Sequence, residues 1–195
     1  MKPLNEIYPP RFFGKRHKLH WRAPIVRDAI RAVLPLKSII DVGCATGDIV
    51  QAFIEDGVFA MGMEGTEAHL KFSIIPHSST YIHDLRTPLD FKFEFDLCLC
   101  LEVAEHIEPE YADIFVSNLC TLSNQILLSA APPGQGGHYH VNCQLPKYWD
   151  EKFDKLGYYR VQSTAEMIKI GLQDWRHKPG IKAYYQNLLF FKKSN

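Results

Sequence analysis

Five short stretches of this chain gather residue types that do chemistry. Asp41-Val42-Gly43-Cys44-Ala45-Thr46-Gly47-Asp48 sets two glycines between two acids, directly behind an apolar run. Glycine at 43 and 47 permits a tight strand-to-helix turn and lets a ligand touch bare backbone. Met61-Gly62-Met63-Glu64 ends the next apolar run in a carboxylate, which can accept hydrogen bonds from both hydroxyls of a ribose. His83-Asp84-Leu85 ends a third run in another acid. Glu102-Val103-Ala104-Glu105-His106 and Gly136-Gly137-His138-Tyr139-His140-Val141-Asn142 supply carboxylates and imidazoles for proton transfer or metal binding. If the former is helical, positions 102, 105 and 106 share one face. If the latter is extended, His138 and His140 point the same way.

Two nucleotide readings fail on spacing. The dinucleotide fingerprint G-x-G-x-x-G is not met by Gly43-x-Ala45-x-Gly47-Asp48, and no lysine follows Gly47 as a P-loop requires. The turn contains no basic residue, so a ligand with a ribose but no phosphates fits it better.

The elements that must position these residues follow from the apolar pattern. With 195 residues, 46% apolar, and 22 basic against 22 acidic side chains, the chain suits one domain with a single core and is not a disordered polymer. Zero net charge gives no global field for a polyanion. No apolar run is long enough to span a membrane, and the N-terminal residues, with prolines at 3, 9 and 10, do not read as a secretory signal. Five cysteines without a C-x-x-C pair argue against a zinc site or a disulfide framework, so a reducing cytoplasm is expected.

The periodicity predicts helices over 23–34, 48–56 (capped by Asp48 and stopped at Gly57), 67–72, 109–122, 148–156 and 165–175. It predicts strands over 38–42, 58–63, 80–83, 95–101, 125–130, 159–163 and 186–192. Such alternation implies a doubly wound α/β domain with a mostly parallel sheet, and ligands beyond the carboxyl ends of its strands. No linker divides the chain. The expected organisation is an N-terminal basic and aromatic arm over 1–22 and a single domain over 23–195.

Asp41-x-Gly43-x-Ala45-x-Gly47 resembles the first motif of the class I S-adenosylmethionine-dependent methyltransferases, with Ala45 in place of a frequent glycine. Glu64 stands where that family has its ribose-binding acid, Asp84 with Leu85 resembles its adenine-contacting pair, and residues 95–107 resemble its fourth-strand motif. The resemblance implies a Rossmann-like seven-stranded sheet whose last strand is antiparallel. It also implies S-adenosyl-L-methionine as cofactor, held by Asp41, Gly43, Ala45, Gly47, Glu64, Asp84, Leu85 and Leu101.

Methyl transfer from a sulfonium is an in-line displacement, driven largely by alignment and desolvation. A hydroxyl acceptor also needs a base or a metal to take its proton. His138 and His140 are the expected catalytic bases, with His106 beside them. The E-x-x-E-H stretch resembles metal-dependent quinone-biosynthesis O-methyltransferases and small-RNA terminal 2′-O-methyltransferases, which would make Glu102, Glu105, His106 and His138 ligands. The expectation retained is a reaction without metal that survives chelation, because two ionised acids are tolerated beside a cationic sulfonium.

Arg11, Lys15, Arg16, Lys18 and Arg22, interleaved with Phe12, Phe13 and Trp21, read as an arm that closes its aromatics over the cofactor and turns its charges to water. Trp149, Trp175, Tyr184 and Tyr185 read as core or pocket wall. The function expected is cytoplasmic O-methylation of a small-molecule or sugar acceptor, with no membrane partner. Its rivals are an RNA ribose 2′-O-methyltransferase using the arm, and a cofactor-binding pseudoenzyme serving as a regulatory partner.

Overall fold

The structure, a computed structural model, describes residues 2–194. Its centre is β1 (Ser38–Val42), a Ser-Ile-Ile-Asp-Val run buried at every position, flanked by the equally buried β4 (Leu97–Leu101). A strand buried on both faces needs helices on both sides, and the pleat distributes them. Ile39, Leu97 and Leu99 face one layer with Val26, Ile30, Phe53 and Ile168. These come from α3 (Ala23–Arg31), α4 (Asp48–Glu55) and α7 (Gln162–Leu172). Ile40, Cys98 and Cys100 face the other layer with Phe115, Leu119, Trp149 and Phe153. These belong to α5 (Ala112–Leu122) and α6 (Pro146–Asp154).

The remaining strands are β2 (Phe59–Glu64), β3 (Thr80–Ile82), β5 (Gln125–Ser129), β6 (Tyr158–Arg160) and β7 (Leu188–Lys193). The sheet order is β3-β2-β1-β4-β5-β7-β6. All pairings are parallel except those of β7, which runs antiparallel to both β5 and β6. The order reverses between β1 and β4, where α/β sheets open a crevice for ligands. The expected seven-stranded doubly wound sheet is therefore present.

Several local expectations are corrected. The first long helix stops at Arg31 rather than 34; Val33 and Leu34 both donate to the Ile30 carbonyl and close the turn ahead of Pro35. Asp48 does not cap α4: Gly47 occupies the cap with φ 79°, and Asp48 begins the helix with no capping bond. Pro109–Tyr111 form a 3-10 turn before α5. A short helix, α8 (Lys182–Asn187), which periodicity did not indicate, leads into β7. Trp175 is a surface residue tilted against Trp21 rather than core. The arm has secondary structure of its own. It folds as α1 (Leu4–Ile7), α2 (Pro10–Phe13) and a 3-10 segment Arg16–Arg22, and buries Ile7 and Phe13. Among the described residues, no helix is long and apolar enough to cross a membrane.

Candidate active site

The chain leaves β1 through three residues with positive φ: Gly43 (77°), Ala45 (51°) and Gly47 (79°). The Gly43 and Cys44 amides donate to the Met63 carbonyl at 2.8 and 3.2 Å, which fixes the turn against β2. A Cβ on Gly43 would collide with Val103 Cγ2, and one on Gly47 would lie 2.8 Å from Ile75 Cγ1. Close packing as well as φ thus demands glycine. Gly43 borders the cavity described below, whereas Gly47 is turned against Ile75 and takes no part in its lining.

Glu64 ends β2 with its Oε1 accepting from the Gly65 amide at 2.8 Å and its Oε2 from the Ala45 amide at 3.1 Å. The carboxylate therefore ties two strand ends together. Burial lifts its pKa above the usual value, opposed by those two amides and by His69. A carboxylate offers about four acceptor sites, so the two bonds leave capacity for two hydroxyls.

A cavity with about 930 Å³ of empty space, part of it open to solvent, runs along this edge. Asp41, Gly43, Cys44, Ala45, Glu64, Asp84, Leu85 and Leu101 are among the residues that line it. Phe12 and Phe13 of the arm line it together with Tyr8, whereas Trp21 does not, and Arg16 and Arg22 also line it instead of facing water. Arg22 is buried, donates from Nε to Asp48 Oδ2 at 3.2 Å, and lies 5.1 Å over the Tyr184 ring. Burial works against its charge but is outweighed by Tyr184 and Asp48. Asp41 beside it is buried, and burial with the neighbouring Asp48 holds its carboxyl well above the ordinary range. One end of the cavity thus offers a cation and buried acids together. The sequence reading counted Arg22 as a surface charge; its place just before the first core helix was the available signal.

Asp84 also lines the cavity, but its oxygens are largely taken. Arg86 bonds Oδ1 from Nε at 3.0 Å and Oδ2 from Nη2 at 2.8 Å. Burial raises the Asp84 pKa, yet the Arg86 bonds outweigh it and leave the carboxyl below its ordinary value. Arg86 also reaches the Lys2 carbonyl at 3.0 Å, pinning the arm.

At the end of β4 the expected helix is absent. Glu102 adopts φ 57°, and Ala104–His106 form a single 3-10 turn. Glu102 accepts from Gln135 Nε2 at 2.8 Å and Asn187 Nδ2 at 3.1 Å. Glu105 is fully buried, and neither of its carboxylate oxygens has a hydrogen-bond partner among the described residues. Burial, then the adjacent Glu102, push its pKa up to about 8.

The histidine loop is not extended either, because Tyr139 takes φ 54° and swings its neighbours apart. His138 Nε2 donates to the Ile7 carbonyl at 2.7 Å. His140 Nδ1 donates to the Gln135 carbonyl at 3.0 Å, and His106 Nδ1 to the Tyr139 carbonyl at 3.2 Å. A carbonyl carries no proton, so His106 and His140 must be protonated on Nδ1; in the neutral rings Nε2 keeps its lone pair. His140 Nε2 lies 3.9 Å from Glu105 Oε1, and candidate ligand atoms of Glu105, His106 and His140 all lie within 4.8 Å of one another. Burial, then His140, pull the His106 pKa down to about 4, leaving it neutral. The cluster excludes Glu102 and His138, and of the three histidines only His106 lines the cavity. Gln135 and Asn187, which hold Glu102, and Tyr8, whose ring edge meets His106, carried no signal in the sequence.

The strand order, the glycine turn behind β1 and the acid closing β2 give the chain the class I S-adenosylmethionine-dependent methyltransferase fold. Over 125 residues, 60% of the chain, it is 30% identical to a ubiquinone biosynthesis O-methyltransferase of Hahella chejuensis, and the match covers 46% of that protein, about half its length. It is similar in structure to DesVI of Streptomyces venezuelae (TM-score 0.69, 12% identity, all of both chains covered). It is also similar to the S-adenosylmethionine-bound amino pentose methyltransferase CalS10 of Micromonospora echinaspora (TM-score 0.64, 17% identity, 90% of this chain and 91% of that one). No family model matches the chain.

Proposed function

We propose that this chain is an S-adenosyl-L-methionine-dependent methyltransferase acting on an oxygen of a small-molecule or sugar acceptor. The observation that carries the reading is one continuous cavity. It is lined by Glu64 and the Gly43 turn, suited to a nucleoside, by Arg22 and the buried acids, suited to a zwitterionic amino acid, and by His106. Glu64 would take the ribose hydroxyls, Leu85 and Leu101 the adenine faces, Arg22 the carboxylate, and Asp41 the amino group. The cofactor supplies an electrophilic methyl group on sulfur. The likeness to an O-methyltransferase and to a sugar methyltransferase supports the acceptor class. Five unpaired cysteines suit a cytoplasmic setting.

For the acceptor's proton, the side-chain chemistry favours a divalent-cation centre over the metal-free histidine base expected from sequence. Two imidazoles are fixed by backbone carbonyls in the tautomer that frees Nε2. A buried carboxylate with no hydrogen-bond partner among the described residues has a ligand atom within 4.8 Å of one on each of them. That donor set, two nitrogens and one oxygen, fits Mn²⁺, Zn²⁺ or Fe²⁺. A cation there would ease loss of a proton from an acceptor hydroxyl. His106 near pKa 4 would be a weak base on its own, and His138 has already committed its Nε2–H to Ile7. Methyl-labelled cofactor turned over against a mixed acceptor pool, with and without chelator, tests both parts. Transfer abolished by chelator and restored by one divalent ion supports the centre; transfer that survives chelation returns the role to the histidines; no transfer with any acceptor leaves the pseudoenzyme.

A further inference from the structure

A second cavity opens at the same sheet edge, on the far side of Asn187. It encloses about 830 Å³ of empty space, part of it open, and is framed by Pro132, Trp149, Arg160, Lys169, Asn187 and Leu189. These residues come from the segment after β5, from α6, the end of β6, α7, the end of α8 and the start of β7. The topology makes that convergence unavoidable. β7 starts where β5 ends, Ser129 opposite Leu188, and β6 finishes beside them.

The polar groups in this wall are incompletely matched. Trp149 is 1% exposed, and its indole Nε1–H has no acceptor among the described residues. Lys169 is half-buried and, among the described residues, has no hydrogen bond or ion pair. Burial lowers its pKa, countered only by Glu166, whose carboxylate is already engaged by Gln162 Nε2 at 2.8 Å. Arg160 Nη1 reaches Asp150 Oδ2 at 3.3 Å, leaving its remaining donors available. A partly desolvated, unpaired Lys169 and an orphan N–H at one cavity are unfavourable unless something anionic completes them, and the exposed Arg160 borders the same space.

Asn187 connects this cavity to the reacting end. It lines the cavity while its Nδ2 donates to Glu102 Oε1 at 3.1 Å and to Gln135 Oε1 at 3.0 Å. The Asn187 carboxamide therefore links this cavity to Glu102.

We infer that this second cavity is an acceptor subsite that holds the anionic group, carboxylate or phosphate, of a small hydroxylated molecule. Lys169 and Arg160 supply the counter-charge and Trp149 Nε1 a directional donor. The word acceptor rests on the methyltransferase reading; the anion binding does not. The test uses the full chain with Trp21→Phe and Trp175→Phe, which leaves Trp149 the only indole of three. Glucuronate, glucose 6-phosphate and neutral glucose are titrated while Trp149 fluorescence is followed. The expected result is a saturable change with at least one anionic probe and none with glucose at the same concentration. Lys169→Met should weaken that response at least about tenfold, Arg160→Gln should also weaken it, and Lys169→Arg should restore it. Which anion responds separates carboxylate from phosphate. Equal responses to glucose, no response to either anion, or an unchanged response in Lys169→Met would overturn the proposal. Calorimetry with S-adenosylmethionine runs in parallel. Cofactor binding without an anion response rejects this subsite alone, and an anion response without cofactor binding rejects the methyltransferase reading while the anion site stands.

Discussion

Glu64 bonds the Ala45 and Gly65 amides while lining the cavity, so one carboxylate shapes the turn and presents acceptors to a ligand. Charge-assisted hydrogen bonds are worth roughly 1.5–3 kcal/mol, so Glu64→Ala should weaken S-adenosylmethionine binding about 10- to 100-fold by calorimetry. An unchanged dissociation constant would remove the ribose role. Glu105 makes the opposite case, a carboxylate with no hydrogen-bond partner among the described residues. Its pKa near 8 in the folded chain stands against an ordinary 4.5, so between these values the folded state keeps a proton the unfolded state has lost. Stability of the metal-free chain should therefore fall as pH rises through that window, with the loss complete above about 8. Glu105→Gln should flatten the dependence in urea denaturation across the window. The same denaturation in wild type with a bound divalent ion should show a weaker dependence, because the cation replaces the proton. Glu64, Gly43 and the E-x-x-E-H acids were legible because residue type and position after a strand announced them. Arg22 and Asn187 were not, since their partners Asp48 and Glu102 lie far away in sequence and no local pattern marks the pairing.

Among the elements, the β1–α4 turn is the least forgiving. Gly43 combines a left-handed φ of 77° with Val103 packed where its Cβ would be. Gly43→Ala should cost roughly 1–3 kcal/mol from backbone strain alone, with a further cost as Val103 shifts. A lowered urea midpoint at unchanged slope would report it. An unaltered midpoint would mean the turn relaxes freely. Strand positions were readable because β1, β4 and β5 are short apolar runs bounded by turn residues. The segments around the reacting end were not, because single left-handed residues, Glu102 and Tyr139, overrule the helix and the extended chain that local pattern suggests. Neither is glycine, so composition gave no warning. Each is a strained position at a candidate site, where local rules most often yield to function.

Across the whole molecule, alternation of strands and helices was enough to reach the seven-stranded architecture, but not the way the arm is fastened. Its carbonyls at Lys2 and Ile7 accept from Arg86 and His138, so the arm is held by one side chain that lines the cavity and one from the histidine loop beside it. Replacing both donors, as Arg86→Met with His138→Ala, should make residues 2–22 sensitive to limited proteolysis while the sheet stays protected. Equal protease resistance in the double variant would mean that the buried Ile7 and Phe13 suffice to hold the arm.

The position of β7 bears on how the chain reaches this structure. Although last in sequence, it is inserted between β5 and β6, and Gln125 pairs with Lys192. Until those distant residues meet, β6 has no partner and β5 presents an open ribbon of amides and carbonyls. Such long-range closures are slow, because loop entropy must be overcome before the contacts form. Pulsed hydrogen exchange should therefore find the amides of β6 and β7 protected together, in a phase later than β1, β2 and β4. In the meantime the bare edge of β5 is a template for a second molecule, so deleting β7 (Leu188–Lys193) should convert a folding chain into an aggregating one.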